Sequence, residues 1–450
     1  MASQPDQNPR HLAELAPADL EAYWMPFTGN RNFKANPRII AGAEGVHYIT
    51  ADGRKVLDGL SGLWCCGAGH NRPEIAEAVA TQLTSLDYAP SFQFGHPKVF
   101  QLANRVAGLM PDGLNHVFFV NSGSDAADTS LKIARAYWRQ HGQPSKTKLI
   151  GRAKGYHGVN FGGISVGGIG LNRKFFGQAV DSDHLQHTLI PGATFTRGQP
   201  QEGAELANEL EELVALHDAS NIAAVIVEPF AGSGGVVVPP HGYLQRLREL
   251  CTKHDILLIF DEVITGFGRA GARTGSDAFG VTPDIINLAK QLTNGAVPMG
   301  AVVVRDDIYE TFMAAGGPDY MVEFPHGYTY SGHPVACAAG LAALDIFEDE
   351  KLDQQVADKA GHFEAGIHAL KGSKYITDIR NYGFAGALTI EPYPGEPARR
   401  PYEIAMKCWD KGLYVRYGGD TLQFGPPFVM AKEQLDDVFG IVADAIKELD

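Results

Sequence analysis

Between about Pro73 and Asp345, short apolar runs alternate with helical stretches, and this alternation restricts the possible folds more than any other feature of the chain. The clearest runs are HVFFVN (116–121), AAVIVE (223–228), DILLIFD (255–261), DIINLA (284–289) and GAVVVR (300–305), each with helical sequence on at least one side, such as 243–254 between the second and third. These runs read as short strands, and the rhythm is that of a mostly parallel α/β sheet. Before it, residues 38–60 read as a meander of three short strands, with Ala51-Asp52-Gly53 as a hairpin turn. After about Leu352 come a long amphipathic helix, the strand GALTIE (386–391) and further alternating segments. The expected organisation is an N-terminal segment (1–70) packing with a small domain, a large α/β domain (71–345) and a C-terminal small α+β domain (346–450).

Charge and cysteine usage narrow the function by exclusion. The 450 residues carry 38 Lys and Arg against 52 Asp and Glu, a formal charge of −14, which argues against a nucleic-acid surface. The five cysteines are odd in number and form no CxxC pair, so neither a disulfide framework nor a zinc site is expected, and no metal is. MASQPDQNPRHLAEL at the N-terminus has no apolar signal core, and no apolar run reaches membrane-spanning length. A reduced cytoplasmic setting is the expectation.

In an open parallel sheet, ligands sit at the carboxyl ends of the strands, so the polar residues that follow the apolar runs matter most. Asn121-Ser122-Gly123-Ser124 follows one run and opens a helix. Its free backbone N–H groups and hydroxyls would cup an anion, although Ser122, three residues before Asp125, also fits plain helix capping. Asp261-Glu262 ends a second run. Adjacent strand residues point to opposite faces, so the two carboxylates serve different partners. Lys290 follows a third run directly, where an ammonium is costly to bury. It either snorkels to water or is a desolvated amine suited to forming imines. A phosphate cup, an acid and an amine at strand ends together match one cofactor, pyridoxal 5'-phosphate, with its phosphate, ring nitrogen and aldehyde.

FDEVITGFGR (260–269) followed by NLAKQLTNGAVPMG (287–300) resembles the signature of the class III, or ω-, aminotransferases. VEPFAGSGGVVVPP (227–240), GYHG (155–158) and HGYTYSGHPVACAAGLAAL (326–344) resemble the family's other hallmarks in their expected order, and the likeness extends from about Tyr23 to the end. LSGLWCCGAGH (60–70) and LYVRYGGDTLQFGPP (413–427) resemble the branch that uses β-alanine and other ω-amino acids with pyruvate. The resemblance implies an aspartate-aminotransferase-like fold (fold type I), built as a homodimer with active sites at the subunit interface, dimers that could pair into tetramers, and no nucleic-acid or membrane partner.

It also implies roles for individual residues. Lys290 would hold the cofactor as a Schiff base and move the substrate proton, while Asp261 would keep the ring nitrogen protonated. Ser122, Gly123 and Ser124 would hold the phosphate, joined by Thr329 from the neighbouring subunit. Tyr156 and Val263 would cover the two ring faces. Glu228 would lie near the ring hydroxyl and the substrate entrance. Arg416 would grip a substrate carboxylate and Trp64 would wall the pocket. Asp125 and Asp128 stand where the family more often has Glu, and His70, His96, His157 and His333 read as structural. The implied reaction is a two-step transfer from an amine donor, β-alanine favoured, to pyruvate. Its alternatives are siblings using taurine, 4-aminobutyrate or simple amines, an aminomutase or racemase, and, in a different class, an inactive cofactor-binding regulator.

Overall fold

The computed structural model describes residues 17–315 and 317–449; the N-terminal stretch read as lacking a signal core lies, up to residue 16, outside the described residues. The meander forms where its turn residues place it. β1 (Ile40–Glu44), β2 (His47–Thr50) and β3 (Lys55–Asp58) pair antiparallel in that order, and the chain turns at Asp52-Gly53.

The apolar runs assemble β4 (Leu114–Val120), β5 (Lys148–Arg152), β6 (Ser182–Leu185), β7 (Ile222–Val227), β8 (Leu257–Asp261), β9 (Ile285–Leu288) and β10 (Gly300–Arg305) into one seven-stranded sheet. Their spatial order is β4-β10-β9-β8-β7-β5-β6. β7, β8 and β9 are buried along their whole length. Helices explain why: Gly123–Gln140 packs an apolar stripe on one face, and Tyr243–Lys253 covers the other. Five neighbouring strands are parallel, whereas β10 runs antiparallel to both β9 and β4. The link between β9 and β10 carries only a short 3-10 turn, Lys290–Thr293, and no crossover helix, so the chain reverses instead of crossing over. That reversal places Lys290 at the sheet's carboxyl edge.

The remaining strands are β11 (Ile376–Tyr382), β12 (Ala385–Ile390), β13 (Leu413–Tyr414), β14 (Arg416–Gly418) and β15 (Thr421–Phe424). Four of them make an antiparallel sheet in the order β11-β12-β15-β14, while β13 pairs in parallel with β3. Leu413 therefore sits opposite Leu57, and the meander shares a sheet with the C-terminal region. Arg269 clamps these parts together from within. It is 1% exposed, it donates to the carbonyls of Phe384 and Pro426 and to Ser61 Oγ, and burial depresses its guanidinium to about 9. Among the described residues no helix is long and apolar enough to cross a membrane, and no group of His, Cys, Asp or Glu side chains could hold a metal ion.

Candidate active site

Five loops leave the carboxyl ends of β4, β5, β7, β8 and β9, and they converge on a cavity of about 140 Å³. Gly123, Ser124, Tyr156, His157, Glu228, Asp261, Val263 and Lys290 all contribute to its wall. Residues that span 167 positions of sequence meet here because each follows a strand of one sheet.

Lys290 holds a left-handed backbone, φ +49°, directly after the extended Ala289. Such a conformation is unfavourable for a side chain with a Cβ and persists where the surroundings enforce it. Its side chain is enclosed by protein yet keeps some surface open to the cavity, and its amine makes no hydrogen bond or ion pair among the described residues. Burial pushes that amine below its ordinary value of 10.5; nearby Cys65, Asp261 and Glu228 oppose the shift, and Arg416 adds to it. The consequence for stability has a definite sign. Between the depressed folded value and 10.5, the unfolded chain binds a proton that the folded chain does not, so the penalty fades as pH rises. In the cofactor-free chain, Lys290→Met is therefore expected to stabilise by roughly 0.5–2 kcal/mol at pH 7.5, with the gain shrinking toward pH 10. Urea melts at the two pH values check this, and an equal gain at both would exclude titration of Lys290 as the cause.

Opposite the amine stands Asp261, with a carboxylate held from two sides. Its Oδ2 lies 2.8 Å from His157 Nδ1, and its Oδ1 accepts from Val263 N at 3.2 Å. Glu262, the next residue, points the other way, where Ser276 N and Oγ, Thr265 Oγ1 and Gly275 N donate to it. The opposite-face reading of this pair is therefore what the fold displays. His157, read from sequence as structural, is instead a direct partner of Asp261. Its side chain is fully buried, and its Nε2 has no hydrogen-bond partner. Glu228 accepts from Tyr156 N and Gly232 N, each at 2.9 Å, and burial pushes its carboxyl upward.

The 18-residue helix Gly123–Gln140 points its N-terminus into the cavity. Ser122 is its N-cap, and its hydroxyl accepts from Asp125 N at 3.1 Å. The Ser122 hydroxyl is thus engaged in capping, and only Gly123 and Ser124 line the cavity. Close approach explains both neighbouring glycines. A Cβ on Gly123 would press on both γ-carbons of Val263 at 3.0 Å, and Gly158, at φ +90°, is packed against Ser124. Asp125 and Asp128 reach Asn160 Nδ2 and Gly163 N, so the shorter acids still tie the helix to the 158–163 loop.

Three expected residues are not among those lining this cavity. Thr329 is exposed and outside the cavity wall of its own chain, and its carbonyl accepts from Tyr88 Oη. Trp64, expected as a pocket wall, is 4% exposed: its ring packs against Gly425 and lies 5.5 Å from the Arg269 guanidinium. Arg416 on β14 is half-buried and has no ion pair among the described residues. It lies near enough to favour the charged forms of Tyr156 and Tyr414, although burial dominates and pushes both phenols upward.

These residues fit pyridoxal phosphate. An unpartnered buried amine, a carboxylate across the same cavity and a long helix with free N-terminal amides answer the aldehyde, ring nitrogen and phosphate in turn.

Comparison with known proteins agrees with this geometry. The family model for class-III aminotransferases matches residues 28–446. A β-alanine–pyruvate aminotransferase of Pseudomonas aeruginosa is 64% identical over 429 residues, covering 95% of this chain and 96% of that protein. An ω-amino acid–pyruvate aminotransferase of Pseudomonas putida is 59% identical over 432 residues, covering 96% of each. Among solved structures, an ω-transaminase from Pseudomonas jessenii in complex with PMP superposes with a TM-score of 0.91 at 30% identity, covering 96% of this chain and 98% of that one.

Proposed function

The chain belongs to the class-III aminotransferases, and on that premise we propose that it transfers the amino group of an ω-amino acid, with β-alanine the favoured donor, to pyruvate, giving L-alanine and the corresponding aldehyde. One observation carries the substrate class. The unpaired guanidinium of Arg416 stands within electrostatic reach of the Lys290 amine, so a carboxylate can be gripped beside the reacting centre. The names of the two Pseudomonas relatives support the donor and the acceptor.

Pyridoxal phosphate, when bound, supplies an aldehyde that takes up the amino group and a ring that accepts the electron pair released at the donor carbon. The chain's own residues do the rest. Lys290 Nζ would anchor the cofactor and would move the proton at the amine-bearing carbon of the donor; burial lowers its affinity for a proton, which favours the neutral form that a base requires. Asp261 would keep the ring nitrogen protonated, and His157 and Val263 N fix its carboxylate in position. Gly123 and Ser124 would receive the phosphate at the helix N-terminus, and Val263 and Tyr156, which line the same cavity, would contact the ring. Glu228 orients Tyr156 through its backbone N–H. Ser122 keeps that helix start in register.

We further infer a homodimer in which Thr329 completes the partner's phosphate site. Exposed aromatic side chains around this loop support it: Phe92 and Tyr330 are more than half exposed, as is Phe94 nearby, and isolated subunits rarely leave such a surface bare. The three-part organisation 1–70, 71–345 and 346–450 is retained as our reading, supported by the pairing of β3 with β13. The five free cysteines favour a reducing cytoplasm.

A donor panel with pyruvate, read as alanine formed, tests the proposal. β-Alanine should rank above taurine, 4-aminobutyrate and simple amines; activity confined to arylalkyl amines would show the donor assignment to be wrong. Net alanine formation also excludes the mutase, the racemase and the inactive regulator. Arg416→Ala should raise the pyruvate KM about 10- to 100-fold, the cost of a lost charged hydrogen bond. An unchanged KM would remove Arg416 from the site.

A further inference from the structure

A second and larger cleft, of about 420 Å³, lies outside the catalytic cavity. Lys154, Gly234 and the segment that includes Thr188 line it together with Asp378 and Arg380 of β11 and Asp420 in the turn between β14 and β15. Two of its charges are already satisfied. Arg380 Nη1 pairs with Asp378, and it also donates to Thr389 Oγ1, while its Nε donates to Gly235 O. Asp378 Oδ1 accepts in turn from Phe195 N and Ile379 N. The other two charges are open. Neither the Lys154 ammonium nor the Asp420 carboxylate has a hydrogen bond or ion pair among the described residues, and they lie beyond ion-pair distance of each other. Thr188 adds an unspent donor and acceptor, since its Oγ1 is buried and has no partner, and the residue is 2% exposed.

We propose that this cleft is a second binding site, for a small amino acid in its zwitterionic form, whose carboxylate meets Lys154 and Thr188 and whose ammonium meets Asp420. Two opposite charges that line one cleft without pairing with each other are both open to a molecule that carries opposite charges of its own. A phosphate would satisfy Lys154 but face Asp420, and a simple amine would leave Lys154 unpaired. The volume falls in the range of about 300–1,000 Å³ usual for small-molecule sites. The site also adjoins the catalytic machinery. Lys154 precedes Gly155-Tyr156-His157, and Gly234 belongs to the loop in which Gly232 N donates to Glu228. An occupant ties these loops to the sheet that carries Arg416, so binding should brace the fold.

The site does not depend on which donor the catalytic cavity accepts, and its test is read separately from turnover. Holoenzyme in the pyridoxamine phosphate form, which has no aldehyde for an amine to attack, is titrated with β-alanine while its thermal midpoint is followed. Propionate and ethylamine serve as single-charge controls. A saturable rise with β-alanine is expected, with both controls requiring about tenfold higher concentration, and with half-saturation moved about tenfold or more in Lys154→Met and in Asp420→Asn. Lys154→Arg, which keeps the charge, should stay near the wild type. Unliganded midpoints and turnover with pyruvate in these variants should match the wild type, which separates loss of the site from loss of the fold. A rise that persists unchanged in both charge-removing variants places the ligand elsewhere and overturns the proposal, as does propionate acting as well as β-alanine. An enzyme inactive with β-alanine that still shows the shift would remove the donor assignment and keep this site.

Discussion

Lys290→Ala is expected to lower kcat for amino transfer to pyruvate by roughly ten-thousand-fold or more, the upper range for loss of a positioned acid–base group. Two functions disappear together. The variant lacks the amine that anchors the cofactor, and it lacks the base that moves a proton at the donor carbon. Neither has a substitute nearby. Of the other titratable groups at this end of the cavity, Glu228 accepts two backbone N–H groups and is pushed upward by burial, and the Cys65 thiol is raised by burial as well. Stability should move the other way, since the substitution removes a desolvated amine. A variant that is inactive yet melts no lower than the wild type separates chemistry from folding. Retention of even one per cent of kcat would show that another group moves the proton.

Asp261→Asn should carry the second largest effect. The substitution is nearly isosteric and can still meet His157 and the Val263 N–H, so the fold should survive. What it loses is the negative charge facing the ring nitrogen. Breaking one side of a buried charge pair costs about 3–5 kcal/mol, which corresponds to roughly a hundred- to several-thousand-fold in kcat if the whole interaction is realised in the reaction. The loss should be partly recovered in Asp261→Glu, which restores the charge at a displaced position. Single-turnover rates with β-alanine measure this directly, and equal rates for Asn and Asp at this position would remove the charge from the mechanism.

These two residues were legible because each directly ends or follows an apolar strand run, and although either alone has an ordinary alternative, an acid and an amine at strand ends beside a phosphate cup match one cofactor. Gly123 and Ser124 were visible for a related reason, since a helix start behind a strand is a recognisable anion site. His157 was missed. Its partner is 104 positions away, and pairing across that distance depends on β5 and β8 ending on the same edge of the sheet. The only local signal was its position beside Tyr156 between two glycines. Ser122 shows the opposite problem: one hydroxyl fits capping and phosphate binding equally well in sequence, and the 3.1 Å approach of Asp125 N shows its oxygen capping the helix while its O–H stays free to donate. Trp64 is ambiguous in sequence because an aromatic ring serves a pocket wall and a core equally well, and its packing against Gly425 and Arg269 is a long-range contact that local pattern does not register. The antiparallel course of β10 is likewise set by a loop too short for a crossover helix, a feature that apolar periodicity does not register. The cleft containing Lys154 and Asp420 left no trace in the sequence, since it arises where β-hairpin and loop residues from distant segments meet.

The central claim is a covalent one and can be measured as such. Holoenzyme reduced with borohydride and digested should yield one pyridoxyl-bearing peptide, modified at Lys290, with loss of the absorbance of the bound cofactor. A chain that stays colourless after addition of pyridoxal phosphate, or a label found on any other lysine, would contradict the account.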